Sequence, residues 1–335
     1  MTSDTINARV LLVNRPAGVA QASDFAIVHD ALPKPGPGEI LVRNHYLSVD
    51  PAMRGWIADV GNYSAPVAIG EVMRSLCSGE IVESRNADYA IGEFVTGWFG
   101  WQDYAAVGAD RIVRRTLPAE AKMALGILGL NGTTALLALT TMGVPRPGQT
   151  VVVSTAAGAV GSAVGQIARI HGCRTIGITS SPAKVRDCLE MFGYDAAIDY
   201  RAEDIGARLA ALCPDGVDVY FDNTAGAISD EVMPHLAQKA RVVVCGTASY
   251  DRWEPWPEGP RVERHLLVKR ARMEGFVLFD HMDRFDEAVD TLRSWIAEGR
   301  LAFQEDVLTG IEACPDALAG LYRGENRGKR IIQLV

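Results

Sequence analysis

Val151–Gly165 reads VVVSTAAGAVGSAVG. A β-branched run ends in small residues, and a helix-like pattern follows from Ser162 to Ile170. Gly158 and Gly161 occupy the last two glycine positions of a G-x-G-x-x-G turn, with Ala156 at the first. Such a turn needs a strand before it and a helix after it, and this stretch supplies both. Small residues let the backbone approach a pyrophosphate, and the exposed N–H groups of the helix start hold it. Gly158, Ala159, Val160 and Gly161 are therefore candidate contacts to a dinucleotide.

Outward from this turn, strands and helices alternate. Thr175–Thr179, Ala197–Asp199, Val217–Asp222 and Arg241–Cys245 read as strands, with helical stretches between them, one running from Pro182 to Met191. Phe276–Phe279 reads as a further strand and Phe285–Glu298 as a helix. This βα alternation predicts an α/β fold with a doubly wound parallel sheet of the Rossmann kind. The chain before about Leu117 has a different texture: short alternating runs such as Val10–Val13, Ile40–Asn44 and Phe94–Gly97, separated by Pro and Gly clusters. Short strands return at Leu301–Val307 and Ile331–Val335. The expected division is a β-rich domain over residues 1–118, a nucleotide domain over 119–299 and a returning segment over 300–335.

At 335 residues the chain exceeds the range of a single core. A formal net charge of −8 gives no reason to expect nucleic acid or an anionic membrane as partner. Asn131, Thr133 and Thr134 break the nearest candidate for a spanning apolar stretch, and Asp4, Asn7 and Arg9 break any leader pattern. A cytoplasmic location is expected. The six cysteines contain no C-x-x-C pair, so reduced thiols without a zinc lobe are expected.

NAD-binding folds usually place a carboxylate about twenty residues beyond the glycine turn, where it receives the ribose 2′-hydroxyl. Here the segment reads Ile178-Thr-Ser-Ser-Pro-Ala-Lys184 and has no acid before Asp187. Its hydroxyls, Ser180 among them, and the Lys184 cation suit a 2′-phosphate instead. NADP(H) is the expected cofactor.

The chain resembles the zinc-independent medium-chain dehydrogenase/reductase superfamily, and within it the alkenal double-bond reductase family. The resemblance rests on Tyr46-Leu-Ser-Val-Asp-Pro-Ala-Met-Arg-Gly55, Gly100-Trp-Gln-Asp-Tyr-Ala105, Ala156–Gly161, Tyr220-Phe-Asp-Asn223, Val244-Cys-Gly246, Arg272-Met-Glu-Gly-Phe276 and Gly324-Glu-Asn-Arg-Gly-Lys329, taken in order. It implies a GroES-like first domain, a homodimer, and hydride transfer from NADPH to the β-carbon of an α,β-unsaturated carbonyl compound. Carried over, Lys184 meets the 2′-phosphate with Tyr200 beside it, while Asn223, Cys245 and Gly246 run along the cofactor. Asn326 lies near the phosphates and Thr134 near the nicotinamide. Met53 and Arg54 belong to the substrate loop, and Tyr250 lies near the substrate carbonyl.

Two departures stand out. Ala52 replaces the tyrosine of the family's D-P-Y-M-R, and Leu130-Asn-Gly-Thr-Thr-Ala-Leu136 replaces M-P-G-x-T-A-Y. The loop His45-Tyr-Leu-Ser-Val-Asp50 lacks the soft ligands of a zinc alcohol dehydrogenase, so no metal is expected and His45 and Asp50 read as hydrogen-bonding scaffold. An enone needs no metal: negative charge gathers on an enolate oxygen that a hydroxyl can stabilise. Tyr250 is the first candidate donor and Tyr63 the second. The loop Tyr250–Pro260, rich in aromatic and breaker residues, offers Trp253 and Trp256 as apolar walls. Two rival readings share the nucleotide site: an NADPH quinone reductase, and an NADPH-binding regulatory or structural protein with little turnover.

Overall fold

The computed structural model describes residues 6–250, 252 and 255–335. Along the chain come β1 (Ile6–Leu12), β2 (Phe25–Ala31), β3 (Glu39–Ser48), α1 (Met53–Ile57), β4 (Leu76–Ser84), β5 (Phe94–Trp98), β6 (Tyr104–Gly108) and β7 (Ile112–Arg115). Then follow α2 (Leu130–Ala138), β8 (Thr150–Ser154), α3 (Ala159–Ile170), β9 (Arg174–Thr179), α4 (Pro182–Arg186) and β10 (Ala196–Asp199). After α5 (Ile205–Leu212) come β11 (Val217–Asp222), α6 (Gly226–Val232), β12 (Leu236–Val244), α7 (Glu263–Lys269), β13 (Arg272–Gly275) and α8 (Phe285–Ala297). The chain closes with β14 (Glu305–Thr309), α9 (Cys314–Arg323) and β15 (Lys329–Gln333).

Two compact units result: residues 1–126 with 305–335, and residues 127–304. The first is β-rich. Its seven-stranded sheet runs β14-β15-β3-β4-β5-β7, with β6 also on β3, and β1 and β2 form a separate ribbon. Its core gathers Val10, Leu12, Val42, Leu47, Met53, Met73 and Trp101 with Leu318 and Ile332 from the returning segment.

The second unit is a six-stranded parallel sheet ordered β10-β9-β8-β11-β12-β13. Counted from β8, that order is 3-2-1-4-5-6, the doubly wound arrangement whose direction reverses between β8 and β11. Val151, Val152 and Val153 are all fully buried, as are Val219, Tyr220 and Phe221 opposite them. Both faces of the sheet are therefore covered, which is why these strands read as unbroken apolar runs. Helix α2 packs on α3 and α8, and α5 on α6.

Local details depart from the sequence expectations. Helix α3 begins at Ala159, three residues before the apolar pattern does. The helix from Pro182 changes to a wider π turn at Asp187–Met191. The strand expected at Phe276–Phe279 lies earlier, at Arg272–Gly275, because the backbone leaves β12 once Phe276 N–H has bonded Val244 O (2.9 Å). Phe276 is then buried and stacks on His281 with ring centroids 4.9 Å apart.

Candidate functional site

The glycine turn sits at the C-terminal end of β8, beside the reversal point of the sheet. Thr155 takes φ +53, and its carbonyl accepts Gly158 N–H (2.9 Å). Gly158 is the N-cap of α3 and offers no side-chain cap. The first-turn N–H groups of Ala159, Val160 and Gly161 have no intrahelical acceptor, as at any helix start. A Cβ on Gly161 would meet Thr155 O at 2.2 Å, so only glycine lets α3 descend onto that carbonyl. Ala156 fits the first position because the facing strand β9 carries Gly177, whose absent Cβ would lie 2.6 Å from the Ala156 methyl.

A second group forms at the ends of β11 and β12. Asn223 N–H bonds Ser154 Oγ (2.8 Å) and its Nδ2 donates to Ser154 O (2.7 Å), bridging β8 and β11. Its Oδ1 is thereby turned away from Ser154. The fully buried Asp222 organises the turn. Its Oδ1 accepts from Ser154 Oγ (3.2 Å), Tyr220 OH (3.0 Å), Thr224 N–H (2.9 Å) and Ala225 N–H (2.8 Å). Burial, with the Asp222 charge second, raises the Tyr220 phenol well above its ordinary range. Cys245 and Gly246 N–H groups both reach Asp222 O (2.8 and 3.1 Å). Burial and the same charge push the Cys245 thiol up to about 12, so it stays an uncharged wall. Tyr250 joins this cluster: Ser249 N–H and Oγ bond Thr224 O (3.0 and 2.7 Å), and Gly226 leaves room for the Tyr250 ring.

Gly226 carries a direct test. Its φ is +59, and a Cβ there would lie 2.5 Å from Ser249 Oγ and 3.3 Å from Tyr250 Cε1. Gly226→Ala should displace the Tyr250 loop and lower kcat/KM by about tenfold, for a strain of roughly 1–3 kcal/mol. A steady-state rate within twofold of the parent's would show that the loop position is irrelevant.

A third group lies at the ends of β9 and β10. Ser181 caps α4 by accepting Lys184 N–H (3.3 Å), and Lys184 is only 9% exposed. Ser180 is half-buried. Tyr200 N–H bonds Thr179 O (3.0 Å), which sets its ring beside this segment. Arg201, which the sequence reading passed over, holds its guanidinium 6.0 Å from the Tyr200 ring centroid. Its signal was present as the adjacent pair Tyr200-Arg201. Thr134 sits half-buried on α2. Leu136, two residues on, is 7% exposed.

The remaining expected residues belong to the first unit or lie outside the description. Tyr63 is exposed, with its N–H on Asn62 Oδ1 (2.7 Å). Asn326 closes its own turn, Nδ2 donating to Gly328 O (2.9 Å). Met53 is fully buried in the first unit's core, and Ala52 packs against it. Arg54 is 4% exposed, 5.7 Å from the Tyr322 ring centroid. Burial lifts the Tyr322 phenol to about 12 against the opposing effect of Arg54, and its OH donates to Pro51 O (3.0 Å). These side chains are packed inside the loop they were expected to present. Trp256 is exposed, and Trp253 lies outside the described residues.

Lys329 was missed. It is buried, and its ammonium donates to Ser48 Oγ (2.7 Å), Val49 O (2.9 Å) and Asp50 Oδ1 (2.6 Å). All three of its protons are placed, so it anchors the segment entering α1. Asp50 is thus a scaffold group as expected, also bonded to Ser48 Oγ. His45 is not: its Nε2 has no hydrogen-bond partner among the described residues and lies 3.9 Å from Glu80 Oε2, while the ring packs edge-on to Phe94. Among the described residues no three His, Cys, Asp or Glu side chains converge as metal ligands, and all six cysteines are unpaired.

A family model described as "N-terminal domain of oxidoreductase" matches residues 8–114, and one described as "Zinc-binding dehydrogenase" matches residues 159–294. The chain is 38% identical to the NADPH-dependent curcumin reductase of Escherichia coli (strain K12), over 98% of this chain and 97% of that protein. It is 34% identical to the NADP(+)-dependent 2-alkenal reductase of Nicotiana tabacum, over 100% and 99% respectively. The crystal structure of CurA in complex with NADPH from Vibrio vulnificus superposes with a TM-score of 0.93 at 39% identity, covering 98% of this chain and 99% of that one. The chain therefore belongs to the medium-chain dehydrogenase/reductase superfamily, as a member of its alkenal double-bond reductase family.

Proposed function

We propose that this protein reduces the carbon–carbon double bond of α,β-unsaturated aldehydes or ketones. It is an oxidoreductase, and its cofactor is NADP(H). The observation that carries the substrate reading is the cluster at the reversal point of the sheet. Asn223, Cys245–Gly246 and Tyr250 stand together beside the bare helix start at Gly158.

The residues present fit the cofactor. Gly158 to Gly161 offer first-turn N–H donors to a pyrophosphate, and the bare Gly161 keeps α3 packed on Thr155 O so that those donors stay grouped. Ser180, Lys184 and Tyr200, with Arg201 as a second cation, suit the 2′-phosphate. Asn223 and Gly246 border the path toward the nicotinamide, and we keep Thr134 on that side. Bound NADPH supplies a hydride to the β-carbon of the conjugated carbonyl compound. Negative charge then develops on the carbonyl oxygen. The Tyr250 hydroxyl is the first candidate to donate a hydrogen bond to it, and Tyr63 the second. A proton from solvent reaches the α-carbon, and the product is the saturated carbonyl compound. We assign Met53 and Arg54 to shaping the substrate loop from within, Trp256 to an apolar wall over the substrate, and Asn326 to the phosphate side.

A homodimer is part of the proposal. Strand β13 is an open edge of the parallel sheet, all four of its residues are exposed, and Leu267 and Val268 on α7 are 76% and 48% exposed beside it. A reducing, cytoplasmic compartment suits the six unpaired cysteines, five of them buried. Among the described residues no helix is long and apolar enough to cross a membrane.

NADPH oxidation with a simple enone, against the same assay with a simple quinone, tests the substrate class. A faster quinone rate selects the quinone reductase, and no turnover with either selects the binding-protein reading. Lys184→Ala tests the cofactor subsite. It should raise the KM for NADPH by about 10- to 100-fold, the equivalent of roughly 1.5–3 kcal/mol, and leave that for NADH nearly unchanged. Equal effects on both cofactors would remove Lys184 from the 2′-phosphate.

A further inference from the structure

The opposite end of the same parallel sheet carries a cavity of about 440 Å³ lined by Val144, Arg146, Lys239, Arg241, Arg270 and Arg272. Five cations surround one opening in a chain whose net charge is −8. Arg241 and Arg272 are register partners on neighbouring strands, an arrangement of like charges that destabilises a sheet unless something offsets it. The carboxylates nearby do not offset it fully. Glu274 pairs with Arg272 (3.2 Å), and Asp218 is held by Thr150 N–H (2.9 Å) and Gln149 Nε2 (3.4 Å). Among the described residues Arg146, Lys239 and Arg270 have no ion pair.

Arg241 is held by acceptors of its own unit, its Nη2 also reaching Asp218 O (3.4 Å). Its Nη1 donates to Val144 O (3.2 Å) and its Nη2 to Gln149 Oε1 (2.6 Å), while its Nε is buried without a hydrogen-bond partner. Burial, then Arg146 and Arg272 against the opposing Asp218, lowers its guanidinium from the ordinary range. The backbone is strained at the same place. Val144 (φ +40), Lys239 (φ +62) and Arg270 (φ +50) all stand in the left-handed region, and all three line this cavity. For the β-branched Val144 that conformation is an outlier. Val144 and Arg270 take this conformation as the C-caps of the helical segments they end, which turns both side chains to the same opening as Lys239.

We propose that this cavity binds a small, multiply charged anion carrying phosphate groups, separately from the dinucleotide at the other end of the strands. The volume of the opening suits a compact molecule. An anion there would sit between the Arg241–Arg272 pair and the cations of Arg146, Lys239 and Arg270, converting repulsion into charge-assisted hydrogen bonds.

The test is calorimetric titration of inorganic tripolyphosphate into the full-length protein, first saturated with NADP⁺ so that the glycine turn is filled. Saturable binding at one site per chain is expected at low ionic strength. Arg146→Gln/Arg270→Gln should weaken it by about tenfold or more. Arg261→Gln/Arg300→Gln removes two cations elsewhere on the same unit and should leave it within twofold. Lys239→Gln alone should also weaken it, and serves if the double variant does not fold. Absence of saturation, or an equal loss in the Arg261/Arg300 control, would overturn the site.

Discussion

Gly161→Ala should raise the Kd for NADPH by about one to two orders of magnitude. The methyl would lie 2.2 Å from Thr155 O, 2.9 Å from its carbonyl carbon and 3.0 Å from Ala156 Cα. All three are backbone atoms, so no side chain can swing aside. Either α3 lifts off the turn or the turn opens. Both spread the first-turn N–H groups of α3 that are proposed to hold the pyrophosphate. Overpacking of this kind costs roughly 1–3 kcal/mol, which corresponds to the stated change in affinity. Quenching of intrinsic fluorescence by NADPH would measure it. An unchanged Kd would mean that the turn does not hold the cofactor. The Tyr194 ring constrains the same helix from behind: its OH donates to Gly161 O (2.6 Å), and the bare Gly165 lets the ring lie flush against α3.

Lys329→Met should destabilise the first unit by about 3–5 kcal/mol, because it removes the cation of a largely buried ion pair. Lys329 is 4% exposed, and its ammonium is held below its ordinary pKa by burial against the pull of Asp50. Its removal leaves Asp50 and Val49 O without their shared donor. Trp101 is a built-in reporter: it is fully buried, and its indole N–H donates to Ser48 O (3.0 Å) at the same segment. The urea midpoint followed by tryptophan fluorescence should fall sharply. Lys329→Met/Asp50→Asn should recover part of the loss, since the carboxylate that faced the ammonium then carries no charge. A midpoint equal to the parent's would show that the pair contributes nothing net.

The nucleotide unit was largely legible in the sequence. Its central strands β8 and β11 are buried on both faces, so each appears as a short apolar run, and its turn is built from small residues. Lys184 and the missing acid could be read because charge at that position is a local matter of one segment. The first unit was legible only in outline. Its strands mix buried and exposed positions without strict alternation, and a role such as that of Lys329 depends on β15 returning to β3 from the far end of the chain. Met53 and Arg54 show the same limit. Their identity is local, but the Arg54 contact with Tyr322 and part of the core around Met53 come from residues more than 250 positions away.

The chain's own order of residues determined a doubly wound sheet, a glycine turn between β8 and α3, and a cation where NAD-binding folds carry an acid. These depend on periodicity, residue size and charge within one segment. Tertiary structure decided the rest. It placed Gly177 opposite Ala156, so that alanine could stand where the motif asks for glycine. It tied the Tyr250 loop to the Asp222 turn, and it gathered Arg146, Lys239, Arg241, Arg270 and Arg272 around one opening. Each of these outcomes is a close approach between strands and loops distant in sequence. Contact distance across a sheet is set by how neighbouring strands pair, and that is absent from any single stretch of chain.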